Sequence, residues 1–376
     1  MKLRLALIAA AFTLAAPAHA AAPRVDADAV LVQDADSGQV LLQRDARERV
    51  SIASITKLMT VLLAVEHARP DEVVRVTARA AAVGGSTIRL RAGERIRVRD
   101  LVMAALIQSA NDAANALADH VSTKTGKPFA RLMNARARAL GLADSRFVRP
   151  DGLDAPGQFS SARDVTKLAR AAMRIDLVRR IVLQRSSTIA GGRALYTWND
   201  LLYSFPGLIG VKTGHTSSAG WSQVAAVRRG AVTVYATLLG SSSRSRRNAD
   251  LAALLSWALS RYRAVSAVST DRVYARVRTQ YGRGAVPLVA RRPLRRVVLA
   301  ARPLVERVVA RAVVALPVQR GRRLGEVRVY DGRRLLGRRA LVAARSVERP
   351  GLTSRLAWYG RRTLANLWDD ATGWLP

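Results

Sequence analysis

The chain contains no cysteine. No disulfide framework holds it, and thiol catalysis and cysteine-ligated metal are excluded. Histidine is scarce, four in 376 residues, and no His-Glu-x-x-His pairing or phosphate-binding glycine loop occurs. The sequence therefore presents no metal or cofactor site. Acids are also few, 27 against 62 lysines and arginines, for a formal net charge of +35. Nucleic acid is the first partner such a balance suggests. The cations, however, are mostly arginines dispersed through apolar sequence, without a DNA- or RNA-binding motif, so nucleic acid is not expected. Two readings remain with equal weight: an anionic envelope surface of phospholipid or wall polymer, or a solvated arginine surface without a partner.

Long apolar runs are missing too, apart from the N-terminus. Lys2 and Arg4 form a basic start, Leu5 to Ala16 an apolar run short for a bilayer, and Ala18-His19-Ala20 a small-x-small cleavage pattern. Residues 1–20 are expected to be a signal peptide outside the fold, in preference to a retained membrane helix, and the mature protein to be exported.

A chain of this length accommodates two domains. Ala29 to Val32 and Val40 to Leu42 read as strands around an Asp36-Ser37-Gly38 turn. Ile55, Leu58, Met59, Leu62 and Leu63 fall at helical spacing, and apolar helical stretches follow at Leu101 to Ile107 and Ala113 to Val121. Trp221 to Val227 and Val232 to Leu239 read as adjacent strands, followed by a helix from Ala249 to about Tyr262. Strands at both ends with helices between predict an α+β domain over residues 21–263, its sheet assembled from both ends. Residues 264–350 carry short β-type runs at Val273 to Arg278, Val297 to Leu299 and Val327 to Tyr330, the last meeting the hairpin signal Asp331-Gly332. They predict a small all-β domain. In residues 351–376, Leu352, Leu356, Tyr359, Leu364, Leu367, Ala371 and Trp374 share one side of a helix, with Trp358 and Trp368 nearby. Three tryptophans there favour a helix lying in an anionic membrane interface over one packed on the β domain.

Three short elements then fall in one order: Ser54-Ile55-Thr56-Lys57, Ser109-Ala110-Asn111 and Lys212-Thr213-Gly214. Each alone is noise; together, about fifty and then about a hundred residues apart, they read as S-x-x-K, S-x-N and K-T-G. Serine needs a base before it is a nucleophile. Ser54 and Lys57, three apart at a helix start, project on one face, and burial or a second cation such as Lys212 can lower the lysine's pKa enough for it to serve. The helix N-terminus adds backbone donors beside the nucleophile. A helix cap alone would account for Ser54 but not for Lys57. Ser109 and Asn111 at i,i+2 in an inter-helix loop can point into one cleft, the hydroxyl to relay a proton to a leaving amine and the amide to hold the substrate. Lys212 and Thr213 offer donors for a carboxylate, and Gly214 lets a substrate backbone approach. A second K-T-G at Lys124-Thr125-Gly126 follows Asn111 too closely and reads as a loop after a helix.

On these residues the chain resembles the serine-type D-alanyl-D-alanine carboxypeptidases of the low-molecular-mass penicillin-binding protein family. Ala53 to Thr60, Ile107 to Ala113, Asp151-Gly152-Leu153-Asp154 and Phe159 to Asp164 resemble further family segments. The likeness spans catalytic domain, β domain and C-terminal helix, and is weakest in the arginine-rich β domain. It implies a β-lactamase/transpeptidase-like catalytic fold and acylation of Ser54 by the penultimate D-alanine of a peptidoglycan stem peptide. It further implies an oxyanion hole from the N–H groups of Ser54 and His215, Arg247 near the substrate carboxylate, covalent inhibition by β-lactams, and a periplasmic location on the outer face of the cytoplasmic membrane. No cofactor is implied.

Rival readings are weaker. A Ser-His-Asp hydrolase would need a nucleophile elbow, and Ser54 is flanked by Ala53 and Ile55. A class A β-lactamase needs a glutamate between the second and third elements, and none lies between Asn111 and Lys212. Slow release of bound penicillin is expected. An endopeptidase of the same fold and a catalytically silent wall-binding scaffold complete the alternatives.

Overall fold

The computed structural model describes residues 5–12, 21–300 and 303–372. They divide into two compact units, one spanning Ala20–Ser260 and one running from Arg261 onward together with the N-terminal segment. Arg261, Tyr262 and Arg263, expected to close the first unit, belong to the second. The alternating run Tyr262–Val268 pairs there with Leu294–Leu299.

The first unit is built on a five-stranded antiparallel sheet in the order Val40–Arg44, Ala29–Asp34, Val232–Ser241, Gly220–Arg229, Leu208–Thr216. The N-terminal hairpin closes on Asp34, whose carboxylate accepts from the Ser37 N–H and hydroxyl at 2.6 Å. The hairpin joins the C-terminal strands through Ala29 opposite Leu239 and Asp34 opposite Val234, as the α+β pattern predicted. Both faces are buried. Leu31, Val224, Ala226, Tyr235 and Leu239 join the main helical core. Val234, Ala236 and Leu238 are equally buried on the face covered by helix Arg244–Ser260.

Helix Lys57–His67 runs through the helical core and is apolar around most of its circumference. Leu58, Met59, Val61, Leu62 and Leu63 are each at most 2 % exposed, and each such side chain contributes about 2 kcal/mol of burial. The stretch read as Leu101 to Ile107 is a helix, Val98–Met103, that widens into a π-helical turn, Ala104–Gln108. The next helix is Asn111–Thr125. Lys124 and Thr125, expected in a loop, form its last turn, and Gly126 caps it with φ 66°. Lys124 pairs with Glu72 at 2.8 Å, so this second K-T-G is a helix C-terminus.

The second unit holds a seven-stranded sheet with its own core of Val277, Leu288, Val308, Val327, Val329, Leu341 and their neighbours. Alternation sorts its residues. Along Leu304–Arg311 the residues Leu304, Glu306, Val308 and Ala310 are buried, while Arg307 and Arg311 face out. Helix Leu352–Thr372 follows; Leu352, Leu356 and Tyr359 are 70 %, 69 % and 54 % exposed, and Trp358 and Tyr359 sit edge-on to Tyr281. Trp374 lies outside the described residues. Leu5–Phe12, expected outside the fold, forms an edge strand antiparallel to Leu304–Arg311. A short apolar run fits a strand as well as a leader, since periodicity does not separate them. Lys2, Arg4 and Ala18-His19-Ala20 lie outside the described residues. Among the described residues no helix is long and apolar enough to cross a membrane.

Candidate active site

Ser54 lies in a single 3-10 turn, Ala53–Thr56, that leads directly into the buried helix. Ala53 is left-handed, φ 46°, and Gly152 packs against it. A Cβ on Gly152 would stand 2.1 Å from the Ala53 carbonyl oxygen. Only glycine allows this approach, which brings the Asp151 backbone under the nucleophile.

Lys57 is fully buried. Its Nζ donates to Ser54 Oγ at 2.7 Å, Asn111 Oδ1 at 2.7 Å and the Asp151 carbonyl at 2.6 Å, which uses all three ammonium donors. Burial lowers its pKa from 10.5 to about 7, against the opposing pull of Asp151 and Asp112. The lowering was expected, but its source is burial, with no contribution from Lys212. The influence runs the other way: burial first, then Lys57 and Arg247, push the pKa of Lys212 well down. Burial alone would raise the pKa of Asp151, yet hydrogen bonds from Arg149 at 2.9 and 3.0 Å, Asn115 at 2.8 Å and the Leu153 N–H at 3.0 Å hold it below the usual carboxylate range.

Ser109 ends the π-helical turn in a left-handed conformation, φ 60°, and its Oγ accepts from Lys212 Nζ at 2.8 Å. Asn111 opens the next helix. Its side-chain oxygen takes Lys57, and its Nδ2 donates to the Gly84 carbonyl at 2.8 Å. The amide thus ties the lysine to the 84–86 loop, and Nδ2 keeps a second hydrogen for the substrate amide it was expected to hold.

Lys212, Thr213, Gly214 and His215 lie on the edge strand Leu208–Thr216. The strand runs against the nucleophile turn: a Cβ on Gly214 would meet the Ile52 carbonyl at 2.6 Å. The missing side chain admits that turn, and Gly214 also lines the cleft into which a substrate backbone was expected to come. His215 stacks on Trp221, directly opposite in register, at 3.9 Å. Arg247 is 1 % exposed. It comes from helix Arg244–Ser260, where its guanidinium lies 3.4 Å from Asp200, 2.7 Å from Asn248 Oδ1 and 5.7 Å from the Trp221 ring centre. Burial brings its pKa down to about 10, with Asp200 opposing.

These groups converge on a cleft of about 610 Å³. One wall is Gly85, Ser86, Thr87, Arg89, Gln108, Ser109 and Trp198; the other is Thr213, Gly214, His215, Trp221 and Arg247, with Ser54 between. None of these lining residues is a carboxylate. Motif reading did not single out Trp198, Gln108, Arg89 or Asp200. Asp200 holds Arg247 directly and through Asn248, a relation between separate elements that no local pattern encodes.

A serine hydrogen-bonded to a buried lysine of depressed pKa, beside a second serine–lysine pair and a buried arginine, has the groups a serine acyl-transfer hydrolase needs. The chain belongs to the D-alanyl-D-alanine carboxypeptidase family of serine peptidases, whose model matches residues 16–243. It is a serine-type D-Ala-D-Ala carboxypeptidase, the activity implied by the sequence resemblance. It is 32% identical over 354 residues to the D-alanyl-D-alanine carboxypeptidase DacD of Salmonella typhimurium, covering 90% of each chain. To DacF of Bacillus subtilis it is 26% identical over 344 residues, covering 88% of each. Among solved structures, penicillin binding protein 5 from Haemophilus influenzae superposes with a TM-score of 0.63 at 24% identity, over 88% of this chain and 100% of that one. The Streptomyces K15 DD-transpeptidase matches 64% of this chain and 100% of its own, with a TM-score of 0.60 at 29% identity.

Proposed function

We propose that the carboxypeptidase acts on peptidoglycan stem pentapeptides through an acyl-enzyme on Ser54. The observation that carries this reading is the fully buried Lys57 Nζ at 2.7 Å from Ser54 Oγ. As the free amine, Lys57 takes the Ser54 proton while Oγ attacks the carbonyl carbon of the penultimate D-alanine. The carbonyl oxygen, negative in the tetrahedral intermediate, is held by the N–H groups of Ser54 and His215. The C–N bond then breaks, and the proton that Lys57 took passes to the leaving D-alanine amine by way of Ser109 Oγ, which Lys212 holds, so that Lys57 is an amine again for the attack of water. Thr213, Lys212 and Arg247 receive the terminal carboxylate. Asn111 acts on Lys57, keeping it aimed at Ser54. Water then cleaves the ester, and Lys57 is regenerated.

β-lactams acylate the same serine. A similar structure, penicillin-binding protein D2 from Listeria monocytogenes, was solved in its ampicillin-bound form (29% identity, TM-score 0.57). With no carboxylate lining the cleft to activate water, penicillin leaves slowly.

The catalytic unit, the β unit and the terminal helix act in the periplasm. Removal of residues 1–20 on export would leave a mature chain starting at Ala21, which N-terminal sequencing of the secreted protein reads directly. The exposed side chains of Leu352, Leu356 and Tyr359 support a helix that lies in the anionic membrane surface.

Release of free D-alanine from a pentapeptide ending in D-Ala-D-Ala tests the central reading. Release by the intact protein and its loss in Ser54→Ala is the expected result. Release that survives in Ser54→Ala would remove Ser54 from the chemistry.

A further inference from the structure

Arg89 stands apart from the machinery above. It lines the cleft that holds Ser54 and Ser109, and its backbone is left-handed, φ 56°, an uncommon state for any residue with a side chain. The cause lies beneath it. Asp112, 1 % exposed, accepts from the Ile88 N–H at 3.1 Å and from the Leu90 N–H at 3.0 Å. Ile88 and Leu90 are themselves buried. A buried carboxylate thus anchors the amide on each side of Arg89, and the residue between is turned outward. A strained position held this firmly at a cleft points from the conformation to a function.

The cleft's charges point the same way. Lys57 is held by Ser54, Asn111 and Asp151, Lys212 contacts Ser109, and Arg247 contacts Asp200 and Asn248. Arg89 makes no hydrogen bond or ion pair among the described residues. It is the cation that lines this cleft without an anion of its own, and no carboxylate shares the cleft with it. A guanidinium presents a planar fork of donors that matches a carboxylate. In the proposed mechanism the terminal carboxylate goes to Arg247, Lys212 and Thr213, which leaves Arg89 for another anion. A cleft of about 610 Å³ also holds more of a peptide than two alanines.

We propose that Arg89 is a specificity residue: it pairs with a side-chain carboxylate on the substrate residue immediately preceding D-Ala-D-Ala, so that the enzyme prefers stem peptides acidic at that position. The proposal rests on the carboxypeptidase reading of the same cleft and adds the class of stem peptide.

The test compares two acetylated peptides, X-D-Ala-D-Ala, in which X is 2-aminoheptanedioic acid with its side-chain carboxylate free or amidated. The two differ in charge and scarcely in shape. Intact protein should show a kcat/KM about tenfold or more higher for the free carboxylate, the scale of one charge-assisted pair. Arg89→Gln should bring the ratio to about one, and so should Arg89→Gly, which also relieves the strained φ. Arg89→Lys should keep part of the preference. Penicillin acylation of Ser54, followed in every variant, reports the folded cleft independently. A ratio near one in the intact protein, a ratio unchanged in Arg89→Gln, or an equal loss on both peptides would each overturn the assignment. Failure of the intact protein to release D-alanine from either peptide, with penicillin still bound, would instead sink the carboxypeptidase reading and Arg89's role with it.

Discussion

If Lys57 is the base that the proposed mechanism makes it, its pKa sets the pH dependence of acylation. Burial brings its pKa from 10.5 to about 7. At pH 7 an ordinary lysine is an amine in about one molecule in three thousand, whereas one titrating near 7 is an amine in about half. Burial therefore raises the population of usable base roughly a thousandfold. The acylation rate with a chromogenic penicillin, measured from about pH 5.5 to 9, should climb about tenfold per pH unit at the acid end and level off a little above pH 7. Lys57→Met should lower it about 10² to 10⁴-fold. A profile flat through pH 7, or still climbing at about pH 9, would refute the assignment of Lys57 as the titrating base. The same shift has a stability consequence. The unfolded chain protonates Lys57 below 10.5, the folded chain only below about 7. Between those values the unfolded state binds more protons, so stability rises with pH across that window, and the penalty is full below it. At about 1.4 kcal/mol per pKa unit the penalty is on the order of 5 kcal/mol. The Tm of the parent should therefore gain on that of Lys57→Met between about pH 7 and 10. A constant difference would remove burial as the cause.

Three other outcomes follow from particular contacts. Gly152→Ala would put a Cβ 2.1 Å from the Ala53 carbonyl, at a φ of +82°; displacement of the nucleophile turn should cut penicillin acylation by about a hundredfold or more, and an unimpaired rate would show that the turn tolerates the shift. Arg247→Met leaves Asp200 paired with Arg244 and should lower kcat/KM for peptides with a free C-terminal carboxylate about 10- to 100-fold. The check is an amidated peptide, on which the two proteins should differ little. Deletion of residues 352–376 should abolish binding to anionic vesicles in a sedimentation assay; unchanged binding would transfer that role to the outward arginines of the β unit, such as Arg307 and Arg311.

Ser54, Lys57, Ser109, Asn111 and Lys212 were legible because each sits in a short motif whose spacing is a local property of helix or strand. The hairpin at Asp34 and the alternation along Leu304–Arg311 were legible for the same reason. What those residues do was less so. Asn111 was read as facing substrate, and its ties to Lys57 and Gly84, 54 and 27 positions away, were not legible. Gly214 was read as room for a ligand, and that it also makes room for the turn at Ile52 was not legible. The source of the lysine's lowered pKa was assigned to Lys212 or to burial, and only the packed core distinguishes them.

Sequence by itself determined the element types, the order of the three motifs, the alternation that turns arginines outward, and the absence of thiol chemistry. These depend on side-chain identity and on periods of two or 3.6 residues, which act over a few positions. Only the tertiary structure decided which groups meet: the Asp151 carbonyl under Lys57, Asp200 behind Arg247, and the Asp112 clamp that turns Arg89 into the cleft. Those contacts join residues up to about a hundred positions apart, and the desolvation that tunes Lys57 arises only once the surrounding core has closed around it.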